Sequence, residues 1–192
     1  MVDDAAEGDW LTGRLLLAAP SLDEPTFRRA VVLLLDHDEH GALGVILNRP
    51  TGAGLDDVLP GWAAVAAGPV TIFEGGPVSA EAALAVGVLL PGVDDEPLGW
   101  RPMYGRVGLV DLDTPVAAVG DALAGLRVFA GYAGWSPGQL EEELASGSWL
   151  VVRSSEQDLL SPSPDDLWRV VLRRQDGELR LLASYPDDPS MN

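Results

Sequence analysis

The chain has 192 residues, a formal net charge of −18, twelve basic residues that are all arginine, and no cysteine. Disulfides, thiolate metal sites and cysteine nucleophiles are thereby excluded, and a chain this acidic is expected to repel duplex DNA unless it gathers its arginines into one patch. The length suits one domain with a sizeable core. No apolar run approaches the ~20 residues of a membrane helix. Residues 1–9 are acidic, without the basic and apolar pattern of a leader, so a cytoplasmic location away from membranes is expected.

In chain order, residues 1–9 are small, acidic and unpatterned, and are expected to be disordered. A first strand is predicted at Arg14–Ala18, ended by Pro20. Ser21–Arg29 suits a turn and a short helical segment. AVVLLLD (30–36) is apolar throughout, the pattern of a strand covered on both faces. It forms a hairpin with ALGVILN (42–48) across the polar turn DHDEHG. A short helix is predicted at 55–59 and strands at 70–73, within 81–90 and at 107–110. TPVAAVGDALAGL (114–126) has a Thr cap, an early proline and apolar residues at helical spacing, so it is predicted helical.

RVFA (127–130) is predicted as a strand, Gly131–Gly134 as a turn, and the next segment as a helix. Ser136 as N-cap, Pro137 at the first helical position and Gln139 three residues on make a capping box. Trp135 and Leu140 are the matching staple pair. The cap assignment predicts a cost of ~1 kcal/mol for Ser136→Ala. A strand at 149–153, a helix at 164–174 capped by Ser163 and a strand at 178–184 follow. The domain is expected to span 10–185, with a tail at 186–192. Buried strands interspersed with helices argue for an α/β or α+β fold with a mixed sheet.

Four stretches in order, GRLLLAAPSLDEPTF (13–27), GALGVILNRPT (41–51), FEGGPV (73–78) and GYAGWSPGQLEEEL (131–144), resemble the YqgE/AlgH family of bacterial proteins. The resemblance implies a single compact domain with a mixed, strongly curved sheet flanked by helices. It implies no defined biochemical activity, although one branch is labelled a transcriptional regulator.

Three groups of residues bear on chemistry. Gly134-Trp135-Ser136-Pro137-Gly138 matches the G-x-S-x-G nucleophile elbow. Pro137 lacks the N–H that an oxyanion hole would use there, and both histidines precede Ser136, against the elbow's chain order. The stretch Asp36–His40 holds metal-ligating side chains, but extended backbone sends Asp36, Asp38 and His40 to one face and His37 and Glu39 to the other. No catalytic residue, metal or cofactor is assigned. The third group is a set of turns at predicted strand ends carrying Asn48 and Arg49, Gly75 and Gly76, and Tyr132, Trp135 and Gln139. If they converge, Arg49 supplies a fixed charge for a carboxylate or phosphate and the aromatic rings a wall. If they only pack together, Arg49 pairs with Glu74 or with a glutamate of 141–143. All five of Trp10, Trp62, Trp100, Trp149 and Trp168 are expected to be structural. The sequence thus favours a non-enzymatic regulatory or binding domain that does not contact DNA and has a protein partner or a small anionic ligand. The alternative is an enzyme or sensor for such a ligand at the Asn48/Arg49 and Gly131–Gln139 corner.

Overall fold

A computed structural model describes residues 10–186; the N-terminal segment expected to be disordered lies outside them, as does all of the expected tail after Pro186. The strands are β1 (Arg14–Ala18), β2 (Val31–Asp38), β3 (Gly41–Ile46), β4 (Pro50–Gly54), β5 (Thr71–Glu74), β6 (Val78–Leu89), β7 (Trp100–Tyr104), β8 (Val107–Val110), β9 (Leu123–Trp135) and β10 (Trp149–Arg153). The helices are short: α1 (Leu55–Val58), α2 (Val116–Val119), α3 (Gln139–Ala145), α4 (Glu156–Leu159), α5 (Leu167–Arg173) and α6 (Glu178–Leu182). Eight strands run in the order β10-β1-β2-β3-β9-β6-β8-β7, all antiparallel neighbours. The parallel pairing of β5 with β9 makes the sheet mixed. No helix among the described residues is long and apolar enough to cross a membrane, a statement that does not bear on membrane β-barrels.

Alternation along β1 and β2 explains their apolar runs. Leu15, Leu17, Val31, Leu33 and Leu35 enter one buried cluster, while Leu16, Ala18, Val32 and Leu34 enter another on the opposite face. The first cluster is closed by Leu159 of α4 and by Leu167, Trp168, Val171 and Leu172 of α5. The second is closed by Leu140 of α3 with Trp135 and Trp149. A third, with Leu55, Trp62, Trp100 and Val119, covers β6, β8 and β9. Val152 of β10 and Val107 of β8 stand near opposite ends of the strand order yet share the first cluster. Gly13, at the start of β1, lies so close to the Tyr104 ring of β7 that an added Cβ would stand 3.0 Å from it. The sheet therefore curls round the first cluster into a half-barrel, which is the single α/β domain with a strongly curved mixed sheet.

Several expectations are corrected. Only Val116–Val119 of the 114–126 segment is α-helical, and Leu123 already begins β9. Alanine, leucine and valine at helical spacing also suit a strand, and pairing with β6 from Leu123 onward decides between them. Gly131–Gly134 is strand, because β9 continues through it to pair Trp135 with Ala42 of β3. The β6–β9 register shifts between Val78↔Tyr132 and Ala83↔Ala130, opposite Gly131 at φ +70°, and the alternation of β9 resets there: Phe129 and Tyr132 both face the first cluster, and Ala133 and Trp135 the second. The segment 178–184 carries helix α6, with Leu179 and Leu182 turned inward and Leu181 70% exposed. Strands β4 and β7 and helix α4 were not predicted. Trp10 is 44% exposed, whereas Trp62, Trp100, Trp149 and Trp168 are buried.

The helix after β9 starts at Gln139, with Gly138 at φ +79° as its cap. Half of the capping box survives: the Ser136 N–H donates to Gln139 Oε1 at 3.0 Å. The Ser136 hydroxyl caps nothing. Ser136→Ala is therefore expected to change stability by less than ~0.5 kcal/mol, as for an exposed side chain without a role. Gln139→Ala is expected to cost ~1 kcal/mol, because it removes that bond and the one from Nε2 to Glu143. Urea denaturation of the two variants side by side checks the order.

Candidate functional site

The turn before β2 and the end of β3 meet at Asn48. This side chain is only 5% exposed. Its Oδ1 accepts the Val31 N–H at 2.9 Å and its Nδ2 donates to the Arg29 carbonyl at 2.9 Å. Both ends of the amide are thus used to hold the Arg28–Arg29 backbone against β3. Arg29 sits at φ +54°, an uncommon conformation for a residue with a side chain, and the bond from Asn48 fixes it there. Arg49 donates from Nη1 to the Asn48 carbonyl at 3.1 Å and from Nη2 to the Arg28 carbonyl. Its hydrogen-bond partners among the described residues are therefore carbonyls. Burial holds its pKa below the usual arginine value, opposed by the charges of Glu74 and Asp165; an arginine there keeps its proton at neutral pH.

α5 completes the site from the opposite wall. The Trp168 indole N–H is anchored on the Ala18 carbonyl at 2.9 Å, and the Arg29 guanidinium lies 4.8 Å over its ring. Arg29 donates to the carbonyls of Tyr185 and Pro186, and Arg169 to that of Tyr185 at 3.3 Å. Arg28 stands 3.4 Å from Asp23. Between the walls lies a cavity of about 390 Å³, lined by Arg28, Arg29, Asn48, Arg49, Trp168 and Arg169, with Asp165 the one carboxylate on its lining among the described residues. Four of the chain's twelve basic residues thus face one cavity in a molecule of charge −18.

The remaining sequence-selected residues lie elsewhere. Gly75 and Gly76 leave β5 and press on β9: an added Cβ would stand 2.2 Å from the Gly131 carbonyl oxygen at Gly75 and 2.2 Å from the Tyr132 carbonyl carbon at Gly76. The Gly75 N–H donates to the Ala130 carbonyl, and the Gly75 carbonyl accepts the Ile46 N–H. These two glycines join the arginine cleft only indirectly, through the Glu74 N–H donated to the Arg49 carbonyl. Tyr132 faces the first cluster and Trp135 the second, so they cannot wall the same pocket. The Trp135 and Trp149 indoles both donate to Glu143 Oε2, at 2.9 and 2.7 Å, and Gln139 donates to Oε1 of the same residue. The structure therefore brings Asn48 and Arg49 together with Arg28, Arg29, Trp168 and Arg169, and leaves the Gly131–Gln139 segment apart. The Arg28-Arg29 dipeptide and the Trp168-Arg169 dipeptide were the signals available for the missed residues.

Two other polar centres are built differently. His37 is buried, its Nδ1 accepts the Leu11 N–H at 3.0 Å, and its Nε2 faces Glu141 Oε1 at 2.8 Å. The Leu11 bond sets the neutral tautomer with the proton on Nε2, and both ring nitrogens are occupied. Glu141 is held below the usual carboxylate range by its own backbone N–H first and by His37 second. Among the described residues no three His, Asp or Glu side chains are grouped to hold a metal. Arg127, 1% exposed on β9, lies 4.3 Å over the Phe73 ring and donates from Nη2 to the carbonyls of Gly68 and Ser161. Burial pushes its pKa down to about 10.

Residues 15–180 match the model of a family described as AlgH-like. A UPF0301 protein of Streptomyces avermitilis is 59% identical over 184 residues, 95% of each chain. A UPF0301 protein of Mycobacterium tuberculosis strain H37Ra is 47% identical over 181 residues, 94% of this chain and 90% of its own. Among solved structures, the crystal structure of protein DIP2367 from Corynebacterium diphtheriae superposes with a TM-score of 0.86 at 32% identity, covering 91% of this chain and 92% of that one. The solution structure of AlgH from Pseudomonas aeruginosa gives 0.69 at 27% identity, covering 98% and 100%. The matched span runs from within β1 to within α6 and includes Arg28, Arg29, Asn48, Arg49, Asp165, Trp168 and Arg169 of the cleft lining, and on these grounds the chain belongs to the AlgH-like family.

Proposed function

We propose that this protein is a non-enzymatic binding domain whose ligand is a small multivalent anion, a phosphate or polycarboxylate, seated in the arginine cleft. The observation that carries the reading is the gathering of four guanidinium groups round one cavity in a strongly acidic chain. Arginine presents a planar fork matched to carboxylate and phosphate oxygens. A cavity of about 390 Å³ suits a small ligand, and Asn48 holds the Arg29 backbone through its side chain and the Arg49 guanidinium through its carbonyl. A non-enzymatic role is supported by the state of the two side chains the sequence offered for chemistry: Ser136 is exposed beside Pro137 with no histidine bonded to it among the described residues, and both ring nitrogens of His37 are engaged.

A thermal-shift series with pyrophosphate and citrate tests the reading. At a hundredfold excess over Kd a ligand specific for the native state adds ~2.7 kcal/mol, which for a chain of this size is roughly 5–10 °C in Tm. Arg49→Ala is expected to cost ~1–2 kcal/mol, since its partners are two carbonyls, and to abolish the shift. A shift that survives in Arg49→Ala would move the ligand elsewhere.

The same charge distribution argues against direct DNA contact. One cleft of arginines can grip one anion, but a duplex needs cations spread along its phosphates. Affinity for mixed-sequence duplex DNA at ~150 mM salt is expected to be weaker than ~10⁻⁴–10⁻⁶ M. Micromolar binding with a steep salt slope in an anisotropy titration would contradict this.

A further inference from the structure

A second cavity, of about 600 Å³, opens beside the second cluster and shares no residue with the arginine cleft. Trp10, Leu11, Leu144 and Val151 give it apolar walls, and His37 and Glu141 its polar end. Trp10 and Val151 are left 44% and 37% exposed, and the volume falls in the range of small-molecule pockets. His37 organises both kinds of wall. Its Nδ1 accepts the Leu11 N–H at 3.0 Å, which pins the chain that carries Trp10, and the Trp10 and His37 rings meet edge-on with centroids 5.2 Å apart. Its Nε2 meets Glu141 Oε1 at 2.8 Å, which fixes the carboxylate at the end of the cavity. Glu141, held below the usual carboxylate range by its own backbone N–H and then by His37, is an anion at neutral pH. Among the described residues the lining holds no arginine to neutralise it.

An indole beside a fixed carboxylate recognises an organic cation: the ring attracts the charge through its quadrupole, and the carboxylate accepts the N–H. The net charge of −18 draws cations to the surface. We propose that this cavity is a second ligand site, for a small organic ammonium whose charged nitrogen sits between Trp10 and Glu141 and whose apolar body lies on Leu11, Leu144 and Val151. The site is independent of the anion-binding reading of the arginine cleft.

Titration of the ¹⁵N-labelled full chain with 2-phenylethylamine, protonated at neutral pH, tests the proposal. The indole signals of Trp10 and of Trp149, which also lines the cavity, are expected to move along one saturating curve while the Trp168 indole stays in place. Glu141→Gln is expected to weaken binding by about tenfold or more, as the loss of a hydrogen bond between charged groups. Its Trp135 and Trp168 indole signals, unmoved from those of the parent, show that it is folded. Glu142→Gln lies on the same helix outside the cavity lining and removes the same net charge. It is expected to change the affinity by less than about twofold, since solvent screens an exposed charge that touches nothing in the site. Trp10→Leu, read at the Trp149 indole, is expected to weaken binding about threefold, the value of a cation–π contact at an exposed site. 2-Phenylethanol keeps the apolar body without the charge and is expected to bind at least ~tenfold more weakly than the amine. No saturating shift at Trp10 and Trp149 overturns the proposal. Equal weakening by Glu141→Gln and Glu142→Gln, or an alcohol that binds as tightly as the amine, overturns it too.

Discussion

Gly76→Ala is expected to prevent accumulation of cooperatively folded protein. Gly76 stands at φ +155°, and an added Cβ would lie 2.2, 2.3 and 2.4 Å from Tyr132 C, Tyr132 O and Ala133 N. Those are backbone atoms of β9, which is paired to β3 and β6 and cannot retreat without breaking ladders on both sides. The expected loss exceeds ~4 kcal/mol, in the range of the most damaging single substitutions. Gly52→Ala separates the two causes, since Gly52 has φ +80° with nothing near its would-be Cβ; backbone strain alone is expected to cost it ~1–2 kcal/mol. Thermal denaturation of both variants reads the result, and a Gly76→Ala protein melting within a few degrees of the parent would show that the β5–β9 contact is looser than described.

The second large effect is expected at Asn48. Asn48→Leu keeps the branched heavy-atom shape but leaves the Val31 N–H and the Arg29 carbonyl without their partners. Each buried orphan costs ~1–3 kcal/mol, so a loss of ~2–6 kcal/mol is expected by urea denaturation. The residue that survives folding should also bind anions poorly, because Arg29 is no longer held at its unusual φ. Asn48→Asp retains an acceptor for Val31 and loses the donor to Arg29, and it places a negative charge in the cleft. It is expected to keep more stability than Asn48→Leu and yet to lose anion binding completely. A leucine variant as stable as the parent would remove Asn48 from the account.

The residues announce some parts of this architecture and conceal others for physical reasons. β1, β8 and β10 were legible at their observed bounds because short apolar runs bounded by turn residues admit few alternatives. The 30–48 hairpin was legible from its two-faced burial. The strand at 127–130 was legible, but the segments on either side, 114–126 and 131–134, were not, since their small residues satisfy more than one spacing and only pairing with β3 and β6 decides between them. α6 was misread for the same reason. At the site, Asn48 and Arg49 were visible as polar residues ending a buried strand. Their partners were not, because Arg29, Trp168 and Arg169 reach the cleft only when the half-barrel brings α5 back over the start of β2. The grouping of Trp135 and Gln139 with Arg49 failed because β9 runs on through Trp135: in extended backbone residues 132 and 135 face opposite sides, so Tyr132 joins the first cluster and Trp135 the second.

The central claim is that one anion binds among Arg28, Arg29, Arg49 and Arg169. A ¹H–¹⁵N titration with pyrophosphate tests it most directly, because the two faces of the sheet carry their own reporters. The Asn48 side-chain amide and the Trp168 indole line the cleft, while the Trp135 and Trp149 indoles are tied to Glu143 on the other face. The account predicts that the first pair moves together along one saturating curve and the second pair stays in place. Saturating shifts at Trp135 and Trp149 with Asn48 and Trp168 unmoved would contradict it.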